Sequence, residues 1–175
     1  MLSAPLTLFV IRILHVVIGA FWVGAVLFIA AFLAPSIRAA GPAGGAVMQQ
    51  LMGARRMHLW LMAAGILTLL TGLGLYWHDS AGFRSAWLAS GPGRTFGLGG
   101  VLALLATIIG MAVNAPTARR LGELSARLQG AGRPPTADEQ ASLGALQARL
   151  GRASAAAAVL LLLATVMMAI ARYVP

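Results

Sequence analysis

Four long apolar stretches, separated by polar and arginine-bearing segments, set the pattern of this 175-residue chain. They run over about residues 13–34, 58–77, 95–113 and 153–173, each near the ~20 helical residues that cross a hydrocarbon core of ~30 Å. The runs are continuous and rich in Leu and Ala instead of alternating, which predicts helices and not the strands of a barrel. The first is expected to stop at Pro35 and the third near Asn114-Ala115-Pro116, because proline removes a helix donor. A cleaved signal peptide is not the reading of the N-terminus: its start is not cationic, its apolar region is too long, and Arg12 and His15 interrupt it.

The segment between the third and fourth stretches is also helical in pattern. Leu121, Leu124 and Leu128 recur at helical spacing until the break over Gly130 to Pro135. Thr136-Ala-Asp-Glu139 then has capping-box form and opens a segment with Leu143, Leu146 and Leu150 on one stripe. The last two spans are therefore expected to continue as an antiparallel helical hairpin over about residues 117–152, each arm of roughly 15 residues or ~22 Å. Residues from about 46 to 57 are expected to lengthen the second span in the same way. The hairpin is either a self-packed stalk or a docking surface, and its narrow leucine stripes favour self-packing. The expected fold is all-α, one membrane domain over residues 1–175: an integral membrane four-helix bundle.

Composition supports that solvent and adds an orientation. Hydrophobic residues make up 59% of the chain and charged ones 10%, against about 25% charged in soluble domains. All 13 basic side chains are Arg. Nine fall in the two connections that share a side: Arg38, Arg55, Arg56, Arg119, Arg120, Arg127, Arg133, Arg149 and Arg152. Only Arg12, Arg84, Arg94 and Arg172 lie on the other. The positive-inside rule then puts both termini outside and the hairpin in the cytoplasm, with periplasmic N- and C-termini if the membrane is a bacterial inner membrane. Tyr76, Trp77, Trp87 and Tyr173 fall at the outer edge, where an aromatic belt belongs. The bilayer is the expected partner, with other membrane subunits or a second copy beside it. Nucleic acid is not expected, since no basic stripe with interleaved aromatics is present. The absence of cysteine excludes disulfides, cysteine-ligated iron–sulfur clusters, thioether-attached haem and thiolate copper sites.

Candidate chemistry narrows to histidine. No nucleophile elbow, phosphate loop, dinucleotide fingerprint or zincin motif occurs, so no catalytic residue is assigned. With no carboxylate inside a span, a proton-pumping relay is not expected. Gly97, Gly99 and Gly100, with Gly65, Gly72 and Gly74, are read as points of close helix approach. An ionisable group within a span is costly, which makes His15 the leading functional position. Gly19 and Trp22 follow one and two turns along its face, and a small residue beside an imidazole leaves room for a flat ligand such as haem. The competing reading is that His15 hydrogen-bonds a neighbouring helix or an interfacial water. His78, at the outer end of the second span, and Met167 and Met168 of the fourth are candidates to join His15 in a metal site, copper or an axial haem set. Methionine is, however, also common in apolar cores. His58, beside Arg55 and Arg56 at the inner edge, is too far away to share an iron with His15. That cluster is suited instead to haem propionates or lipid phosphates, or is simply an interfacial histidine among positive-inside arginines.

The stretch Leu14-His-Val-Val-Ile-Gly-Ala-Phe-Trp-Val-Gly24 resembles the first helix of the copper-resistance protein D family and of the HemJ-type protoporphyrinogen oxidases, four-helix haem-b membrane proteins. The similarity continues through Arg55-Arg-Met-His-Leu-Trp60, Gly72-Leu-Gly74, the Trp87 region and Arg119-Arg120, about two-thirds of the chain. It implies a haem ligand at His15. The HemJ-type enzymes also rely on a lysine in the third helix, and this chain has no lysine; protoporphyrinogen oxidation by that route is therefore not expected. The reading that follows is a membrane-embedded protein binding haem b or a metal, in electron transfer or haem or copper handling. A non-catalytic accessory subunit of a larger membrane assembly is the alternative, and copper uptake a further one.

Overall fold

The structure, a computed structural model, describes residues 4–175. It is helical throughout between its turns, and no strand occurs among the described residues. Eight α-helices follow in order: α1 (Ala4–Phe28), α2 (Ala34–Ala39), α3 (Pro42–Met52), α4 (Met57–Asp79), α5 (Ser85–Leu88), α6 (Gly91–Ile109), α7 (Ala115–Gly130) and α8 (Ala137–Ile170). Four continuous helical rods, Pro5–Ala39, Met57–Asp79, Gly91–Gly130 and Ala137–Tyr173, are long and apolar enough to cross a membrane.

Two prolines expected to end helices do not end them. A π-helical turn, Ile29–Leu33, joins α1 to α2, and another, Gly110–Asn114, joins α6 to α7. In both, the alanine before the proline donates its N–H five residues back, Ala34 to Ile29 and Ala115 to Gly110. Pro35 and Pro116 have no N–H to give and would clash with the ordinary α turn behind them; the widened turn absorbs the mismatch. Asn114 closes the second π turn, and its Oδ1 is buried with no partner among the described residues.

The connection after α2 also departs from expectation. Residues 46–57 do not lengthen the second span; α3 is a separate helix, and the chain breaks at Gly53 before α4 starts at Met57. Arg56 takes the left-handed conformation (φ 50°) just before that start, which no continuous helix accommodates. Beyond α6 the chain is helical on both sides of a break at residues 131–136. Helix α7 packs on α8, and the leucine stripes are at least partly covered, with Leu128 buried. The capping box is complete: Thr136 Oγ1 accepts from Glu139 N (3.3 Å), and the Glu139 carboxylate accepts from Thr136 N (2.8 Å). Arg133 adds a two-pronged contact to the same carboxylate at 2.9 and 2.8 Å. That guanidinium, with the Thr136 N–H, holds the Glu139 carboxyl down to about 2, far outside the apolar part of α8.

The rods assemble as two antiparallel pairs. Helix α1 lies on α4 and α6 on α8, with smaller contacts of α4 on α6 and of α1 on α8. The core between them is narrow and small-residue: Trp22, Ala64, Ala103, Ala106, Ala157, Leu161 and Ala164. Large apolar side chains point the other way, Phe9, Val16, Phe28, Leu70, Val101 and Leu104 among those exposed. A fold with its alanines inside and its phenylalanines outside is built for contact with lipid.

Candidate functional site

Glycine and threonine spacing on α4 answers the spacing of His15, Gly19 and Trp22 on α1. Three levels meet across the antiparallel seam. A Cβ added at Gly72 would lie 2.7 Å from His15 Cε1, one at Gly65 would lie 3.0 Å from Trp22 Cε2, and one at Gly19 would lie 3.3 Å from the Thr68 methyl. Each large side chain therefore sits on a missing one, which lets the two backbones approach. Trp22 is the one buried residue of α1 among those described.

His15 is tied into this seam through one nitrogen. Its Nδ1 is 3.0 Å from the backbone carbonyl of Thr68 and 3.3 Å from Thr71 Oγ1. A carbonyl oxygen only accepts, so in the neutral ring Nδ1 carries the proton and Nε2 keeps its lone pair. Nε2 makes no hydrogen bond to any described residue and is not sealed from the surface of the bundle. The threonine hydroxyls are satisfied within α4: Thr68 Oγ1 donates to Ala64 O (2.7 Å) and Thr71 Oγ1 to Leu67 O (2.6 Å).

An imidazole held by Nδ1–H on a carbonyl, with Nε2 free, is the arrangement that orients histidine as a metal or haem-iron ligand. The residues present would offer such a group one ligand atom, His15 Nε2. They do not fit a flat ring inserted at Gly19, because the Thr68 methyl occupies that space.

The other candidates lie apart from His15. His78 is exposed at the end of α4, its Nδ1 3.2 Å from Asp79 Oδ1. Arg12 reaches the same carboxylate at 3.6 Å, so α1 and α4 are also joined by charge at this end. Met167 and Met168 pack on Gly99 of α6, in the other helix pair. Arg55, Arg56 and His58 are exposed at the opposite end of α4. Ten residues separate His58 from Thr68, ~15 Å of helix, so this cluster is not part of the His15 seam. Among the described residues no three His, Asp or Glu side chains gather as a metal site.

Close helix approach is found at Gly65, Gly72, Gly97 and Gly99, while a Cβ at Gly74 or Gly100 would meet nothing within 4 Å. Tyr76 donates to Gly93 O at 2.9 Å, and the rings of Tyr76, Trp77, Phe83 and Trp87 form a cluster, edge-on for Tyr76–Trp87 and Trp77–Phe83 and tilted for Tyr76–Phe83. Thr68 and Thr71 are the residues that sequence reading missed. The signal was present: small residues at 65, 68 and 72 repeat, reversed, the 15, 19, 22 spacing of α1. No protein family, curated protein or solved structure matches the chain.

Proposed function

We propose that the protein binds haem b, or alternatively copper, within the membrane, with His15 Nε2 as the ligand, and serves electron transfer or haem or copper handling. The observation that carries this reading is the His15 Nδ1 contact to the Thr68 carbonyl, which leaves the opposite nitrogen as the coordinating atom. Haem, when bound, supplies one-electron chemistry. The chain supplies orientation: Thr68 fixes the tautomer, and Gly72 gives the ring room to lie against α4. The span pattern and arginine asymmetry support an inner-membrane placement with periplasmic termini and a cytoplasmic hairpin.

Absorption spectroscopy of protein purified in mild detergent tests the ligand. A Soret band is expected in the parent and is lost in His15→Ala. A parent without a Soret band despite available haem, and without bound copper, sinks the reading. Orientation is tested separately on this naturally cysteine-free chain. A membrane-impermeant maleimide is expected to label Ser85→Cys and not Ala131→Cys in intact cells; the reverse pattern overturns the topology.

A second reading rests on the same contact. In it His15 serves only to tie α1 to α4, and the protein is read as a non-catalytic accessory subunit of a larger membrane assembly. His15→Gln, whose amide can also donate to Thr68 O, then preserves both stability and partner. Native-membrane pull-down with no stoichiometric partner would count against this reading.

A further inference from the structure

A second feature, remote from His15, has the shape of a lipid site. Between α1 with its π turn and the start of α4 lies an apolar groove of about 300 Å³. Phe21, Phe28, Leu33, Leu51, Met57 and Trp60 are among the residues that line it. From Phe21 to Leu33 the groove follows twelve residues of helix, roughly 18 Å. One leaflet contributes about 15 Å of a ~30 Å hydrocarbon core, so the groove has the length of one acyl chain lying parallel to α1. The π turn supplies both Ile29 and Leu33 to the lining.

Charge stands at one end of this groove only. Arg55 and Arg56 directly precede Met57, and both are exposed with no carboxylate partner among the described residues. His58 follows on the other side of Met57, also exposed. The opposite end, toward Phe21, runs into the apolar span. A molecule complementary to this arrangement is anionic at one end and hydrocarbon for the rest. A phosphate oxygen offers the acceptors that guanidinium groups bind in pairs.

We infer that the groove holds one acyl chain of an anionic phospholipid, with its phosphate on Arg55 and Arg56. This rests on the membrane-spanning architecture and is independent of haem or copper binding at His15. Trp60, lining the groove and largely exposed, is a built-in reporter.

The test reconstitutes the full chain in phosphatidylcholine vesicles that carry a minor fraction of acyl-brominated lipid. Bromine quenches a tryptophan it touches, and the Trp60 component is the difference between the parent and Trp60→Phe. Brominated phosphatidylglycerol is expected to quench that component more strongly than brominated phosphatidylcholine at equal fraction, with a preference on the order of fivefold per arginine. The Arg55→Gln/Arg56→Gln double variant is expected to lose the preference and keep the phosphatidylcholine quenching. Ala25→Phe, which fills the groove from α1, is expected to lose the preference with both arginines intact. Equal quenching by the two lipids in the parent overturns the proposal. So does a preference that survives the double variant, and one that survives Ala25→Phe shows mere attraction of headgroups to a basic surface and overturns the groove.

Discussion

The α1–α4 and α6–α8 pairs bring membrane-length helices together by different means. Between α6 and α8 the contact is alanine on alanine, around Ala103, Ala106, Ala157 and Ala164, with Leu161 sealed at the centre. Its one tight glycine, Gly99, meets the flexible end of Met168, with the Cβ of Met167 and the Ala164 carbonyl just beyond. Between α1 and α4 the contact is a rigid ring on a glycine, twice over, with a threonine methyl against a glycine between them and a histidine tied to a carbonyl. Lipid tails offer no hydrophobic drive for helix association, so both seams depend on close packing. Threonines occur in both pairs, but the first also ties an ionisable side chain across its seam, and that is why it, and not the alanine seam, is the place to look for chemistry.

The largest expected loss is at the centre of the first seam. Trp22→Ala removes the one buried side chain of α1 among the described residues and is expected to cost about 3–5 kcal/mol of stability, read as earlier unfolding in denaturing detergent. Unchanged unfolding would mean that α1 is held by something other than this seam. Next, matched glycines set the two pairs against each other. Gly72→Ala drives a methyl into the imidazole of His15 and is expected to cost about 1–3 kcal/mol. Gly99→Ala meets first the Met168 methyl, which can move aside, and the less yielding Met167 Cβ only at 3.3 Å, so its cost is expected at about 1 kcal/mol, below that of Gly72→Ala. Equal effects would erase the distinction between a rigid and a yielding seam.

Smaller still is the tie itself. His15→Phe keeps a ring on Gly72 but loses the hydrogen bond to Thr68, an expected ~0.6 kcal/mol, as interhelical hydrogen bonds in membranes average. A loss several times larger would show that the tie carries the pair. The smallest effect lies outside both seams, at the hairpin. The Glu139 carboxyl is held at about 2 against an ordinary 4.5. Its support of the start of α8 is therefore complete above about pH 4.5 and is lost as pH falls toward about 2. Amide protection near Thr136, taken relative to the intrinsic exchange rate at each pH, is expected to fall over that window and not in Glu139→Gln. Protection that is flat with pH in the parent would remove the carboxylate from the account of the cap.

Reading the residues in order located the four spans, the capping box and the small residues of close approach, because each is written in local periodicity. Proline was misjudged at Pro35 and Pro116. Whether a proline ends a helix or widens it into a π turn depends on what packs around the turn, and both turns here lie against α8. The break at Gly53 and Arg56 was missed for a related reason: an arginine in left-handed conformation leaves no mark in the pattern.

The sequence by itself determined four helices long and apolar enough to cross a membrane, since continuous apolar runs of that length at this charge content are written in local composition. It also singled out His15, because an ionisable group in such a run is conspicuous. Only the tertiary structure decided what His15 touches. The Thr68 carbonyl is a backbone atom, invisible to composition, and its partnership follows from an antiparallel register that three glycines, 53 residues or less from one another in sequence, allow two helices to adopt. The space expected beside Gly19 vanished by the same rule: a gap on one helix is an opening only until the facing helix brings a side chain to fill it.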